Sequence, residues 1–353
     1  MTHSSIDDTN STGVQEVPST MRASVLSGRQ RIGVEQRPVP AVAADEVLVK
    51  VAAVGVCGSD VHYYREGRIG DFVVDAPLIL GHEASGRIVA VGADVDGGRV
   101  GERVAIEPQR PCRVCSQCKA GRYNLCPEMR FYATPPIDGA FCEYVTIQAD
   151  FAHRVPDSVS DESAALLEPL SVGIWACRKA RVVPGSRVLI AGAGPIGVIT
   201  TQAARAFGAV EVIVSDPVAE RRGLVEKFGA TRTLDPLTES VADLGVDAFI
   251  DASGATPAVV SGISAVRGGG VVVLVGMGAD TIALPIPVIQ NRELVVTGVF
   301  RYTDTWPTAA GLVASGQVNL DGLITGRFGL DDVDKALDAD GTPGSLKTMV
   351  VPA

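Results

Sequence analysis

The chain of 353 residues is 46% hydrophobic and 20% charged, which is too apolar for a disordered protein and longer than one hydrophobic core usually serves. Its formal net charge of −10 argues against electrostatic binding to nucleic acid or to an anionic lipid surface, since both need a basic footprint. No apolar run reaches the roughly 18 residues of a membrane span, so the expectation is a soluble, cytoplasmic protein of two domains that binds a small neutral molecule.

In chain order, residues 1–20 are polar, lack the basic and apolar regions of a secretory signal, and read as a flexible tail. Residues 21–170 are rich in glycine and proline with short strands such as Glu46 to Val54 and Gly86 to Val91, which fits an irregular, mainly antiparallel β domain. From there to residue 301, short β-branched runs alternate with helical stretches. The runs are Val188 to Ile190, Glu211 to Val214, Thr231 to Leu234, Ala248 to Ile250, Val271 to Val275 and Leu294 to Val299, and the first two gaps hold candidate helices Ile196 to Phe207 and Val218 to Phe228. This βαβ rhythm predicts an α/β domain with a doubly wound parallel sheet of about six strands. Residues 302–353 carry two short helical patterns, around Thr308 to Ala314 and Asp331 to Leu337, and are expected to return to the first domain, leaving the nucleotide domain inserted.

Three constellations carry chemistry. Gly192-Ala193-Gly194-Pro195-Ile196-Gly197 is a G-x-G-x-x-G turn between a predicted strand and helix, placed to bind the pyrophosphate of a dinucleotide at a helix N-terminus. Asp216 follows at the end of the second strand, where a carboxylate accepts hydrogen bonds from the adenosine ribose and repels a 2′-phosphate, favouring NAD over NADP. Arg221 and Arg222 nearby temper that preference, and a helix-capping role for Asp216 before Pro217 is compatible with it. Cys112, Cys115, Cys118 and Cys126 hold four thiolates in one short loop, as a closed structural zinc requires, with disulfides or an iron–sulfur cluster as the competing readings. The third set is Cys57, His82, Glu83 and Glu168: sulfur, imidazole and carboxylates that can hold zinc with one position open. Their spacing alone does not join them, and a small core cysteine, a satisfied buried histidine and solvated glutamates are the plain alternatives.

At these residues the chain resembles the polyol (sorbitol, L-iditol and xylitol) dehydrogenases of the zinc-containing medium-chain alcohol dehydrogenase family. The resemblance runs from about Met21 to the C-terminus and rests on Val56 to Tyr63, Gly67 to Gly70, Gly81 to Gly86, Gly121 to Leu125, Ala133 to Pro136, Glu168 to Gly173, Gly192 to Gly197 and Gly298 to Tyr302. It implies a GroES-like irregular β-barrel catalytic domain joined to a Rossmann nucleotide domain, one catalytic and one structural zinc per subunit, NAD as cofactor, and a homotetramer. It implies that Cys57, His82 and Glu83 bind the catalytic zinc, with Glu168 a ligand or a hydrogen-bond partner of metal-bound water. It further implies that Tyr63, Phe131, Thr134, Arg301 and Tyr302 line the polyol pocket, and that Ile196, Asp216, Arg221, Val275, Met277, Val299, Phe300 and Arg301 contact the cofactor. Ser59 and His62, at C-x-S-x-x-H spacing, are candidate proton-relay groups, although a surface histidine is the plain reading of His62. The expected reaction is oxidation of a secondary hydroxyl to a ketone with hydride transfer to NAD; the alternatives are a threonine 3-dehydrogenase and a non-catalytic, NAD-binding redox sensor.

Overall fold

The computed structural model describes residues 17–342 and 344–352; the predicted tail falls almost wholly outside them. Among the described residues no helix is long and apolar enough to cross a membrane. The first element is a hairpin of Thr20–Gly28 and Arg31–Pro38, to which Leu78–Ile79 adds a third strand. Its two-residue turn, Arg29-Gln30, places Gln30 at φ 54° without a glycine, so the usual sequence signal for a tight hairpin is missing there.

The main sheet of the first lobe runs in the order Ala152–Arg154, Arg103–Ile106, Glu83–Val91, Glu46–Gly55, Lys347–Val350 and Ile324–Phe328, with Tyr144–Gln148 also pairing to Glu46–Gly55. All pairs in it are antiparallel except the last two strands. Alternation of buried and exposed positions is weak in these strands. Val47, Leu48 and Val49 are all buried, because sheet packs on sheet around a common core with Met21, Ile88 and Phe141. The register Met349↔Gly55 and Val350↔Val54 stitches the end of the chain onto the strand that leads to Cys57.

The second lobe holds a six-stranded, all-parallel sheet whose strands Arg187–Ala191, Glu211–Ser215, Arg232–Leu234, Val246–Asp251, Val266–Leu274 and Val295–Gly298 stand in the spatial order three, two, one, four, five, six. This is the doubly wound order that opens a crevice between strands one and four at their carboxyl ends. The predicted runs sit on these strands. Val188, Ile190, Val212, Val214, Ala248 and Ile250 are buried, which is why the strands read as β-branched runs and not as alternating patterns. Helix Leu167–Lys179 enters this lobe and packs against helices Pro195–Ala206 and Trp306–Ala314, so Trp306 and Ala309 share its core. The chain rejoins the first sheet at Ile324–Phe328.

Candidate active site

Cys57 leaves the strand Glu46–Gly55 and caps helix Gly58–Glu66, while His82 and Glu83 open the neighbouring strand at the register Gly55↔Glu83. Strand pairing thereby joins residues 25 positions apart, and one ligand atom from each of Cys57, His82 and Glu83 lies within 4.8 Å of the others. Asp60, fully buried, fixes the two loops to each other. Its Oδ2 accepts from the Cys57 N–H at 3.0 Å and its Oδ1 accepts from the Gly81 N–H at 2.9 Å, with His82 Nδ1 at 3.7 Å. A histidine whose second nitrogen faces a carboxylate is oriented and made more basic toward a metal.

Sequence reasoning missed Lys347. This side chain, 3% exposed, donates from Nζ to Glu83 Oε1 at 2.5 Å and to the Val56 carbonyl oxygen at 2.7 Å. Its only sequence signal is a lone charge inside the apolar run Leu346 to Val351, and the residue that explains it is 264 positions away. Burial pushes the Glu83 carboxyl up to about 7 against the pull of Lys347, with the nearby Glu168 adding to the rise. Burial also works against a charge on His82, but Asp60 and Cys57 outweigh it and hold the imidazole well above its ordinary range. Glu83 Oε2 is buried with no hydrogen-bond partner among the described residues. Sulfur, nitrogen and oxygen donors converging beside an unpartnered buried carboxylate oxygen fit a zinc ion with a position left for substrate.

Glu168, on the first turn of helix Leu167–Lys179, lies outside that three-ligand group but close enough for its charge to act on Glu83. It is buried, and burial raises its carboxyl despite His82, the Tyr302 hydroxyl, Lys347 and Arg301, which pull the other way. The residues expected to line the substrate pocket gather beside it. Phe131 sits 5.5 Å from the His82 ring, and the Arg301 guanidinium stacks on Phe131 at 3.9 Å and on Phe300 at 4.7 Å. Burial lowers Arg301 to about 10. Burial raises the Tyr63 hydroxyl, while Thr134, His82 and Arg301 pull the other way. The buried Tyr302 hydroxyl faces the Glu168 carboxyl, and burial together with that charge holds it well above the ordinary tyrosine range. Ser59 and His62 share one face of helix Gly58–Glu66, Ser59 half-buried and His62 exposed.

The four thiols of Cys112, Cys115, Cys118 and Cys126 are all free, and their sulfurs lie within 4.8 Å of one another. Backbone N–H groups point at three of them: Cys112 donates to Cys126 Sγ, Cys115 to Cys112 Sγ and Cys118 to Cys115 Sγ, at 3.3 to 3.4 Å. Backbone donors bring Cys112 down to about 7, whereas burial and the neighbouring thiols push Cys118 up to about 12. So crowded a set does not ionise all four thiols unaided, whereas a bound dication would take all four as thiolates.

In the second lobe Gly192 has φ 95°, and a Cβ on Gly197 would stand 1.8 Å from the Gly192 carbonyl oxygen, so both positions demand glycine. Nothing approaches the Cβ position of Gly194, which begins helix Pro195–Ala206 and leaves the space before it open for phosphates. Ile196 is half-buried in the first turn of that helix. Asp216 is buried. Its Oδ2 accepts from the Ala193 N–H and its Oδ1 from the Val218 N–H, each at 2.8 Å, so the carboxylate braces the glycine turn as well as the loop to the next helix. Arg222 is held by the Asp216 carbonyl oxygen at 2.6 Å and by Asp235 at 3.3 Å, and Arg221 is half-buried beside the same loop. Val275 and Val299 follow adjacent strand ends, their N–H groups donating to Asp251 and Leu274 carbonyl oxygens at 2.9 Å, with exposed Met277 and Phe300 beyond them at the same edge.

A doubly wound sheet with a glycine turn, facing a β lobe that carries one open and one closed zinc set, defines a zinc-binding, dinucleotide-dependent dehydrogenase. Residues 43–157 match the family model described as the alcohol dehydrogenase GroES-like domain, and residues 195–315 match the model described as zinc-binding dehydrogenase. Among curated relatives, sorbitol dehydrogenase of Bacillus subtilis (strain 168) is 43% identical over 95% of this chain and 98% of its own length. Probable D-xylulose reductase A of Aspergillus fumigatus is 43% identical over 92% of this chain and 95% of its own. A solved zinc-binding dehydrogenase of Sinorhizobium meliloti 1021, bound to NADP, superposes with a TM-score of 0.88 at 33% identity, covering 95% of this chain and all of its own. The chain belongs to the zinc-containing medium-chain alcohol dehydrogenase family.

Proposed function

We propose that the protein oxidises one secondary hydroxyl of a polyol such as sorbitol, xylitol or L-iditol to the ketose, with NAD accepting the hydride. The observation that carries the reading is the wall around the ligand group. Arg301, Tyr302, Tyr63 and Thr134 offer hydroxyl-binding groups gathered beside Glu168, with the buried Tyr302 hydroxyl facing the Glu168 carboxyl and the Tyr63 hydroxyl facing Thr134. A site lined by so many hydroxyl-binding groups favours a substrate with several hydroxyls and makes simple alcohols poor substrates.

In this reading Cys57, His82 and Glu83 hold the zinc, which when bound supplies the Lewis acidity that lets a hydroxyl lose its proton near neutral pH. Glu168 faces the substrate side and orients it. Ser59, then His62 at the surface, carry the proton out. Gly192, Gly194 and Gly197 seat the dinucleotide and Asp216 takes the ribose hydroxyls, while Val275, Met277, Val299 and Phe300 border the nicotinamide. Rigid seating of both partners across one cleft is what brings the reacting carbon against the ring.

A substrate panel tests the assignment. Sorbitol, xylitol, L-iditol, ribitol, arabinitol, mannitol and threonine are each offered with NAD and with NADP, before and after chelator treatment. Chelator-sensitive NADH formation with polyols is expected, and turnover of threonine in preference to them would replace the reading by a threonine 3-dehydrogenase. For the cofactor, Asp216→Ala is expected to raise KM for NAD roughly 10- to 100-fold, the worth of hydrogen bonds to a charged acceptor, while KM for NADP moves far less. An unchanged ratio of the two would remove the ribose role.

We further propose a cytoplasmic homotetramer. All seven cysteines are free thiols, as a reducing compartment maintains. The strand Val295–Gly298 ends the parallel sheet with Val295 exposed and exposed Ile286 and Phe300 on neighbouring segments, an edge that a second copy of the chain would cover. Light scattering that gives the mass of one 36.6 kDa chain would contradict it.

A further inference from the structure

The stretch between Cys118 and Cys126 is tied to the substrate wall by its own residues. Asn124, 4% exposed, donates from Nδ2 to the Phe300 carbonyl oxygen at 2.9 Å. The Tyr123 hydroxyl accepts from the Asp304 N–H at 2.8 Å and donates to Glu107 Oε1 at 2.8 Å. The Gly121 carbonyl oxygen accepts from Thr303 Oγ1 at 2.9 Å. A fourth tie comes from the strand just before the loop, where Gln109 Nε2 donates to the Tyr302 carbonyl oxygen at 3.1 Å and to Glu107 Oε1 at 3.0 Å.

These ties bracket Arg301 and Tyr302, and the segment they hold has reason to need holding. Arg301 has φ 54° and Asp304 has φ 52°, left-handed conformations that side chains with a Cβ disfavour and that persist only where the surroundings impose them. Glu107 anchors the far side of the network. It is 2% exposed, and its Oε2 lies 2.8 Å from His153 Nε2, whose ring stacks on Trp306 at 5.2 Å with an interplanar angle of 6°. Three of the segment's partners, Gly121, Tyr123 and Asn124, belong to a loop whose two ends are cysteines of the four-thiol set, while Gln109 and Arg178, which donates to the Asp304 carbonyl oxygen at 2.6 Å, hold it from outside that loop.

We propose that Tyr123 and Asn124 of the cysteine loop are positioning residues for substrate specificity: they hold Phe300 to Asp304 in its left-handed path, and so aim the Arg301 and Tyr302 side chains into the polyol pocket. The four-cysteine set then serves the active site at a distance, by fixing the loop that carries the clamp. Neither residue touches substrate. The consequence for turnover rests on the polyol reading, whereas the consequence for the segment itself does not.

The test uses the full-length, zinc-loaded enzyme with Tyr123→Phe, which removes one hydroxyl, and Asn124→Ala. KM and kcat are measured for sorbitol and for 2-propanol, a poor substrate with no second hydroxyl for Arg301 or Tyr302 to bind, and amide exchange is followed at Asp304. Loss of the Tyr123 acceptor is expected to speed exchange at Asp304 roughly tenfold, about the worth of one hydrogen bond. KM for sorbitol is expected to rise roughly tenfold or more through misplacement of the wall, with kcat and the 2-propanol reaction within about twofold of the parent. Equal losses for both substrates would mean general damage and overturn the clamp. So would Asp304 exchange unchanged in Tyr123→Phe, or effects confined to Asn124→Ala together with loss of zinc from the cysteine set. Should the parent enzyme fail to oxidise sorbitol, the polyol reading falls, and the exchange result still decides the clamp.

Discussion

Cys57→Ser is expected to lower turnover on the order of 10³-fold or more, the scale at which loss of electrophilic stabilisation is felt, and to reduce zinc from two ions per subunit to one. Serine keeps the shape but is a poor zinc ligand at neutral pH, whereas the Cys57 sulfur belongs to the three-donor group with His82 and Glu83. NADH binding, followed by nicotinamide fluorescence, is expected to persist, because the glycine turn and Asp216 belong to the other lobe and none of their hydrogen bonds involves Cys57. A variant that retained both ions and full turnover would remove Cys57 from the site.

Lys347→Met is expected to destabilise the metal-free protein by about 3–5 kcal/mol at pH 8, the usual cost of leaving one member of a buried ion pair without its partner. The pair is almost wholly buried, Glu83 at 1% and Lys347 at 3% exposure, so solvent does not replace the lost cation. The effect carries a pH signature. The folded Glu83 carboxyl, pushed up to about 7, favours its proton more than the unfolded chain does, so its ionisation costs stability as pH rises from its ordinary range through about 7. Removing Lys347 raises that carboxyl further and enlarges the cost on the alkaline side. At pH 5, where Glu83 keeps its proton in both proteins, the difference is expected to shrink to a small fraction. Urea unfolding of chelator-treated proteins at pH 5 and pH 8 measures it, and equal losses at the two values would show that the lysine acts through packing alone. Zinc added back should recover part of the loss at pH 8, since the metal takes over the lysine's electrostatic task.

The second lobe was legible residue by residue because its signals are local. A parallel strand buried on both faces must be a short β-branched run, as in Val188 to Ile190 and Val271 to Val275, and a dinucleotide turn must carry glycine where Cβ would strike backbone, as at Gly197. The four-cysteine set was legible for the same reason, since its donors lie within fifteen positions of one loop. The open zinc set was recognised through the family resemblance and not from spacing, because Glu46–Gly55 and Glu83–Val91 bring its members together by strand register.

What the amino-acid order by itself determined was therefore the class of each lobe, the phosphate turn and the closed metal loop, all written in contacts between near neighbours. Tertiary structure alone decided the pairing of Lys347 with Glu83, the bracing of Cys57 and Gly81 by Asp60, and the tie from Tyr123 and Asn124 to the Arg301 wall. Those partners are separated by up to 264 positions, and a charge or an amide in the sequence says only that it needs a partner when buried. Which partner it finds depends on sheet register and on the return of the C-terminal strand to Val54 and Gly55, which no local pattern of side chains encodes.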